Sequence, residues 1–198
     1  SAMSGESDFA ELHPHIEMMV LETDVGFAWI VRIIALVVGG SVVLLHQRAP
    51  VVSLSVATIA GGIALASLAW SGHGAMDEGS RRYWHFAMDI LHLLAAGAWL
   101  GALVAFARMA MLDTLQTAES IKLLARVVNR FESVGALIVV VITVTGVVNY
   151  LFIVGPELDA VLLSTYGTLL LIKVMLFAGM LVLAAFNRFH LGPLLQLS

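Results

Sequence analysis

The chain has 198 residues, of which 60% are hydrophobic and 12% charged, and its mean hydropathy is +0.97. So few polar side chains cannot cover the surface of a soluble globule, and the composition therefore predicts an integral membrane protein. The formal net charge is −4, and there are no cysteines. Disulfides, thiolate metal sites and cysteine nucleophiles are thereby excluded, and any metal site must use His, Met or carboxylate groups.

Five stretches are long and apolar enough to cross a bilayer as helices, which takes about 20 residues. They run roughly over residues 25–45, 51–71, 84–106, 134–154 and 166–185. Strands of a membrane barrel would be half as long and would alternate apolar and polar residues, which these stretches do not. The sequence therefore predicts an all-α fold, a polytopic transmembrane helical bundle of about five spans.

The distribution of charge predicts the orientation. Residues 1–24 carry six acidic residues and no Lys or Arg, whereas residues 108–131, an amphipathic connection, carry four basic residues. By the positive-inside rule the N-terminus is extracytoplasmic and the connection lies along the cytoplasmic face. The expected organisation is a polar lead-in over 1–24, of which 1–2 resemble the remnant of an expression tag, a transmembrane domain over 25–188 and a cytoplasmic tail over 189–198.

The lead-in and the first span each contain a polar feature with two interpretations. The lead-in either captures a soft metal ion or is a solvated helix that packs its methionines on the bilayer surface. Its relevant residues are His13, His15, Met18 and Met19. In the first span, Arg32 is expected about 12 Å below the outer end, where an arginine either snorkels outward or pairs with an acid inside the bundle.

The third span carries ionisable side chains in its first turns. His85, Met88, Asp89 and His92 follow the spacing i, i+3, i+4 and i+7, which places them on one face of a helix. His73 lies between two glycines just after the preceding span. Because the connection to the third span is short, His73 is expected at the same membrane surface. Because ionisable groups at this depth are costly, the face is predicted to be a functional site that can bind a ligand.

Structural alternatives exist for the same residues. His92 is otherwise a hydrogen-bonded core histidine, and His73 a solvated loop residue. Lys173 is expected about 10 Å below the outer end of the fifth span, in one layer with Arg32 and Asp89, so a buried ion-pair network is the main alternative for Asp89. Asn149, at the outer end of the fourth span, either supports the site or caps a neighbouring helix.

Four segments together carry a family resemblance. They are LETDVGFAWIVR, WSGHG, DILHLLAAGAWLGAL and YGTLLLIKVMLFAGMLVLAAFNR. This combination resembles the copper resistance protein D (CopD) family. The resemblance implies a multi-pass protein of the bacterial inner membrane that takes part in copper import or homeostasis with a small periplasmic copper-carrier protein. It also makes His73, His85 and His92, supported by Met88 and Asp89, candidate ligands of Cu(I) or Cu(II).

Family members of this type carry two further spans before the LETD segment and another after the FNR segment. The chain is therefore expected to be a fragment of a longer protein or a short subfamily. The resemblance leaves open whether it forms a homo-oligomer.

A related alternative is a haem-binding redox protein similar to HemJ-type protoporphyrinogen oxidases, in which histidines would ligate haem b. Arg32 and Lys173 would then hold the propionates. Against this alternative, His85 and His92 share one helix face and cannot occupy opposite axial positions. The sequence contains no phosphate loop, nucleophile triad or nucleic-acid patch, so a transport or metal-binding role is expected rather than an enzyme, with the lipid bilayer and no nucleic acid as partners.

Overall fold

The computed structural model describes residues 23–44, 49–71, 79–111, 118–155 and 164–186. The elements of these ranges are α1 (Asp24–Leu44), α2 (Pro50–Ala66), a 3-10 segment (Ser67–Ser71), α3 (Gly79–Met111), α4 (Ala118–Ile153) and α5 (Thr165–Phe186). Each α-helix, with the 3-10 segment extending α2, contains a stretch long and apolar enough to cross a membrane. Since the described ranges contain no strand, the predicted all-α, polytopic fold with about five spans is confirmed.

Local capping interactions explain where three of the helices begin. The Thr23 hydroxyl accepts a hydrogen bond from the Gly26 amide at 3.0 Å, and the Ser164 hydroxyl accepts one from the Gly167 amide at 3.1 Å. These caps satisfy amides of the first helical turn, which have no partner within the helix. Helix α2 instead begins with Pro50, whose missing N–H would have been unsatisfied at this position.

Helices α3 and α4 are longer than a bilayer requires. They contain 33 and 36 residues, which corresponds to about 50 and 54 Å, against about 30 Å for a hydrocarbon core. Residues 118–131, predicted to lie along the membrane face as part of the connection, form the first turns of α4 and continue into the fourth span without a break. The sequence there has no Gly or Pro that would end a helix.

The chain divides into two compact units. The first unit comprises residues 1–101 and 138–149, and the second comprises residues 102–137 and 150–198. In the second unit, the rings of Phe106 and Phe131 meet edge to face with centroids 5.1 Å apart. The first unit contains the predicted polar face of α3.

Small residues form the helix contacts of the first unit. Ala28, Ala35, Ala60 and Ala64 are buried, and a Cβ placed on Gly39 would lie 3.3 Å from the Ala60 Cβ. Small residues at these contacts allow the helix backbones to approach closely.

Large apolar side chains occupy the outer faces of all five helices. Examples are Phe27, Leu54, Leu100, Leu137 and Leu176, which are all exposed. A soluble protein rarely exposes apolar side chains over such an extent, whereas lipid contacts them favourably. Most of the buried apolar side chains are thus small, with Trp99 as the large exception, and many large ones are exposed.

Replacing Gly97 with leucine is expected to destabilise the first unit. A Cβ on Gly97 would overlap Cδ1 of Leu65 in α2, so a full leucine side chain forces the two helices apart. Overpacking of this kind typically lowers the free energy of unfolding by about 1 to 3 kcal/mol. The matched control is Gly101→Leu, since nothing lies within 4 Å of a Cβ at Gly101. Denaturant unfolding in detergent micelles measures both, and equal stability of the two variants would contradict the close contact between α2 and α3.

Candidate metal centre

One face of α3 carries the predicted polar side chains. His85 is 3% exposed, and Met88, Asp89 and His92 are partly buried. Trp84 and Leu91, which flank this face on the same helix, are exposed. The four side chains that turn inward are His85, Met88, Asp89 and His92. The predicted helical face therefore exists, and it points into the first unit.

His92 is held by α4. Its Nδ1 atom lies 2.9 Å from the Oγ1 atom of Thr145, a residue that is only 2% exposed. The ring also lies over Gly146, where an added Cβ would sit 3.4 Å from Cε1. His92 is therefore hydrogen-bonded through Nδ1, as expected if it were a hydrogen-bonded core histidine. Its other ring nitrogen, Nε2, takes part in neither of these contacts.

Asp89 meets α4 one turn further along. The Nδ2 atom of Asn149 donates to Oδ1 of Asp89 at 3.5 Å, which is a long hydrogen bond. Asn149 is 9% exposed, and its own Oδ1 has no hydrogen-bond partner. An ionised carboxylate requires the amide nitrogen on its side, so the amide oxygen of Asn149 must face away from Asp89. A buried acceptor left in this state costs about 1 to 3 kcal/mol.

Arg32 is engaged elsewhere. Its Nε and Nη2 atoms donate to the hydroxyl and carbonyl oxygens of Ser67, at 3.0 and 3.2 Å. Ser67 follows the last residue of α2, where helix carbonyls lack partners and a positive charge is favourable. The guanidinium also lies 5.7 Å from the Trp29 ring centroid. Arg32 thus ties α1 to the end of α2, and its described contacts include no carboxylate.

The positions of Lys173 and His73 relative to this cluster stay predictions. Lys173 is exposed on α5 and belongs to the second unit, so its place in a layer with Asp89 stays a prediction. His73, together with His13, His15 and His46, lies outside the described residues. Within the described ranges no three His, Asp or Glu side chains are grouped so that they could hold a metal ion. A metal site here needs Met88, Asn149 or a ligand from outside these ranges.

Thr145 is the residue of this cluster that sequence reasoning missed. The fourth span carries two threonines, Thr143 and Thr145, in a run of Val and Ile residues. Thr143 is exposed and Thr145 is buried. The signal that separates them is the two-residue spacing, which places them on different sides of the helix, but the sequence does not say which side meets α3.

Apolar helices that enclose contacts between His, Asp, Asn and Thr side chains define a polytopic membrane protein with an intramembrane polar site. Residues 1–84 match the family profile of the copper resistance protein D-like N-terminal domain, and residues 125–197 match that of copper resistance protein D. The chain belongs to the copper resistance protein D family.

Three curated relatives illustrate this membership. Copper resistance protein D of Pseudomonas syringae pv. tomato is 53% identical over 192 residues, which cover 97% of this chain and 62% of the relative. Inner membrane protein YebZ of Escherichia coli K12 is 32% identical over 181 residues, covering 91% of this chain and 59% of the relative. Copper transport protein CutJ of Bacillus subtilis is 35% identical over 127 residues, which cover 64% of this chain and 22% of the relative. The chain therefore spans about three fifths of the first two relatives, and no solved structure matches it.

Replacing Arg32 with methionine is expected to lower the free energy of unfolding by roughly 1 to 3 kcal/mol, the scale for losing hydrogen bonds from a charged group. Methionine keeps much of the side-chain volume but cannot donate to Ser67. The matched control is Arg82→Met, because Arg82 is exposed on the first turn of α3. Unfolding in detergent compares the two variants. If Arg32→Met is as stable as Arg82→Met, the contact between Arg32 and Ser67 does not stabilise the fold.

Proposed function

We propose that this chain is a multi-pass inner-membrane protein of copper import or homeostasis, and that it holds copper at an extracytoplasmic site on the polar face of α3. The ligands would come from His73, His85, Met88, Asp89 and His92. The observation that carries the proposal is the set of buried or half-buried donors on one face of α3, beside the unsatisfied oxygen of Asn149. Relatives named as copper resistance and copper transport proteins support the choice of metal.

The donor types suit copper in either oxidation state. Imidazole is a good ligand for copper, the thioether of Met88 favours Cu(I), and the oxygens of Asp89 and Asn149 together with imidazole nitrogen favour Cu(II). The histidines are common to both sets. His85 and His92 are therefore the ligands on which the proposal depends most.

The electrostatics of the cluster also favour a cation. Asp89 is half-buried, and within the described part of the first unit its contact is the Asn149 amide and not a positive charge. Arg32, the arginine of the same predicted layer, is bound to Ser67. A carboxylate at membrane depth without a positive partner is costly, and a bound metal ion would supply that charge.

A third nitrogen ligand can come from His73. The Trp70 ring packs edge-on against Phe86, with centroids 4.6 Å apart, so the end of the 3-10 segment lies beside the first turns of α3. His73 is the third residue after Trp70, so the two Cα atoms lie at most about 11 Å apart. The length of the chain therefore allows His73 to reach the outer turns of α3, and His73 would then add a ligand to those of the described ranges.

Haem binding, the alternative of another class, is less well supported. Both histidines of the described ranges lie on α3, seven residues apart, which is about 10.5 Å along the helix axis. Two such histidines cannot ligate one iron from opposite sides.

In the proposed role a periplasmic copper carrier delivers the ion to the outer surface, and the family resemblance supports this partner.

Replacing His92 with alanine is expected to reduce copper affinity on the order of tenfold or more, with little change in helical content. The loss follows because an imidazole nitrogen is removed from the donor set. Copper per protein is measured by elemental analysis after equilibrium dialysis, alongside an absorption spectrum. Copper binding equal to that of the parent chain would remove His92 from the site. A Soret band with bound iron would instead identify the haem protein.

Replacing Met88 with leucine separates the oxidation states. Leucine conserves the volume of methionine but has no sulfur, so Cu(I) affinity is expected to fall while Cu(II) affinity is retained. The matched control is Met175→Leu, since Met175 is exposed on α5 in the second unit. Titration with a Cu(I) chelator as competitor compares the two variants. Equal Cu(I) affinity in both would show that Met88 is not a ligand.

A further inference from the structure

We infer that Thr145 fixes His92 as the Nδ1–H tautomer and so leaves Nε2 as the nitrogen that binds the ion. Thr145 is then a positioning residue, which acts on the metal through His92 without touching it. The tautomer follows from the hydrogen bonds of the metal-free chain. Its consequence for copper rests on the proposed function.

The direction of the hydrogen bond follows from the single proton of the Thr145 hydroxyl. Its Oγ1 atom lies 2.6 Å from the carbonyl oxygen of Val141 and 3.3 Å from that of Ile142, both of which can only accept. Two oxygens at 2.6 Å need a proton between them, so the hydroxyl donates to the backbone of its own helix. Its oxygen can then only accept from His92 Nδ1, 2.9 Å away.

This assignment determines the second nitrogen. A neutral imidazole has one N–H and one lone pair, so a proton on Nδ1 leaves the lone pair on Nε2. Thr145 is 2% exposed, which keeps bulk water from replacing its oxygen as the acceptor. Glycine at position 146 leaves room for the ring in this position, because a Cβ there would lie 3.4 Å from Cε1. The ring is therefore set both in tautomer and in orientation.

The neighbouring Thr143 shows what the contact with His92 adds. Its hydroxyl makes the same kind of bond to its own helix, to the carbonyl oxygen of Val139 at 2.8 Å. Thr143 is exposed, whereas Thr145 faces α3. The two residues share their chemistry, their helix and their back-bond, and differ in the imidazole that only Thr145 contacts. Thr143 is thus an internal control.

A hydrogen-bond acceptor on the far nitrogen is what orients most metal-binding histidines and makes them more basic ligands. Removing such an acceptor typically costs 10- to 100-fold in metal affinity. In Thr145→Val the Nδ1–H loses its acceptor in an apolar environment, and the neutral ring is free to move its proton to Nε2. Thr145→Ser retains the hydroxyl and is expected to retain the tautomer.

Nitrogen-15 NMR of the full chain, labelled at histidine and free of metal at mildly alkaline pH, tests the tautomer. The His92 resonances are assigned by their loss in His92→Ala. The expected parent spectrum has a protonated Nδ1 and an unprotonated Nε2 for His92, and Thr145→Val is expected to lose this preference while Thr145→Ser and Thr143→Val keep it. An unprotonated Nδ1 in the parent chain would overturn the inference. The spectrum of the parent chain is sufficient for this test, so the test does not depend on whether a Thr145 variant folds.

Copper titration of the same variants tests the consequence. Thr145→Val is expected to bind copper about 10- to 100-fold more weakly than the parent, with Thr145→Ser and Thr143→Val close to the parent. Equal affinity in Thr145→Val and Thr143→Val would overturn the positioning role. Absence of copper binding in the parent chain would overturn the proposed function alone, because the NMR result still decides the tautomer.

Discussion

The structure depends on one constraint, which is that a polar side chain on a membrane-spanning helix must find its partner inside the protein. On α3 the apolar side chains of Trp84 and Leu91 are exposed, whereas His92 and Asp89 contact side chains of α4. There His92 meets Thr145 and Asp89 meets Asn149, one helical turn apart on each helix. These two contacts fix the rotation of both helices about their axes. The same rotation buries His85 and exposes Trp84 beside it.

The same constraint accounts for Arg32 and for the group that remains unsatisfied. The guanidinium of Arg32 takes the end of α2 as its partner, so a charge that could have neutralised Asp89 is used to join α1 and α2. Small residues fill the spaces between these polar contacts, which lets the helices approach closely. The Oδ1 atom of Asn149 is buried without a partner. In the proposed function, the ion or one of its ligands would lie beside this buried oxygen.

Much of the fold was predictable because it follows from local sequence. The apolar runs gave the spans, and the seven-residue spacing from His85 to His92 gave the polar face of α3. The partners were not predictable, because they depend on how the helices are rotated against each other. Nothing in the sequence distinguishes Thr145 from Thr143 as a partner of His92, and nothing links Arg32 to a serine 35 residues away. The charges of residues 118–131 suggested a separate surface segment, but without a helix breaker these residues continue into the fourth span.

Copper bound by imidazole nitrogen on α3 is the central claim, and X-ray absorption at the copper edge of the loaded, purified chain tests it most directly. The account predicts nitrogen neighbours with the multiple-scattering pattern of imidazole rings, which weakens in His92→Ala. A chain that retains no copper, or a copper spectrum that shows only oxygen or sulfur neighbours, would contradict it.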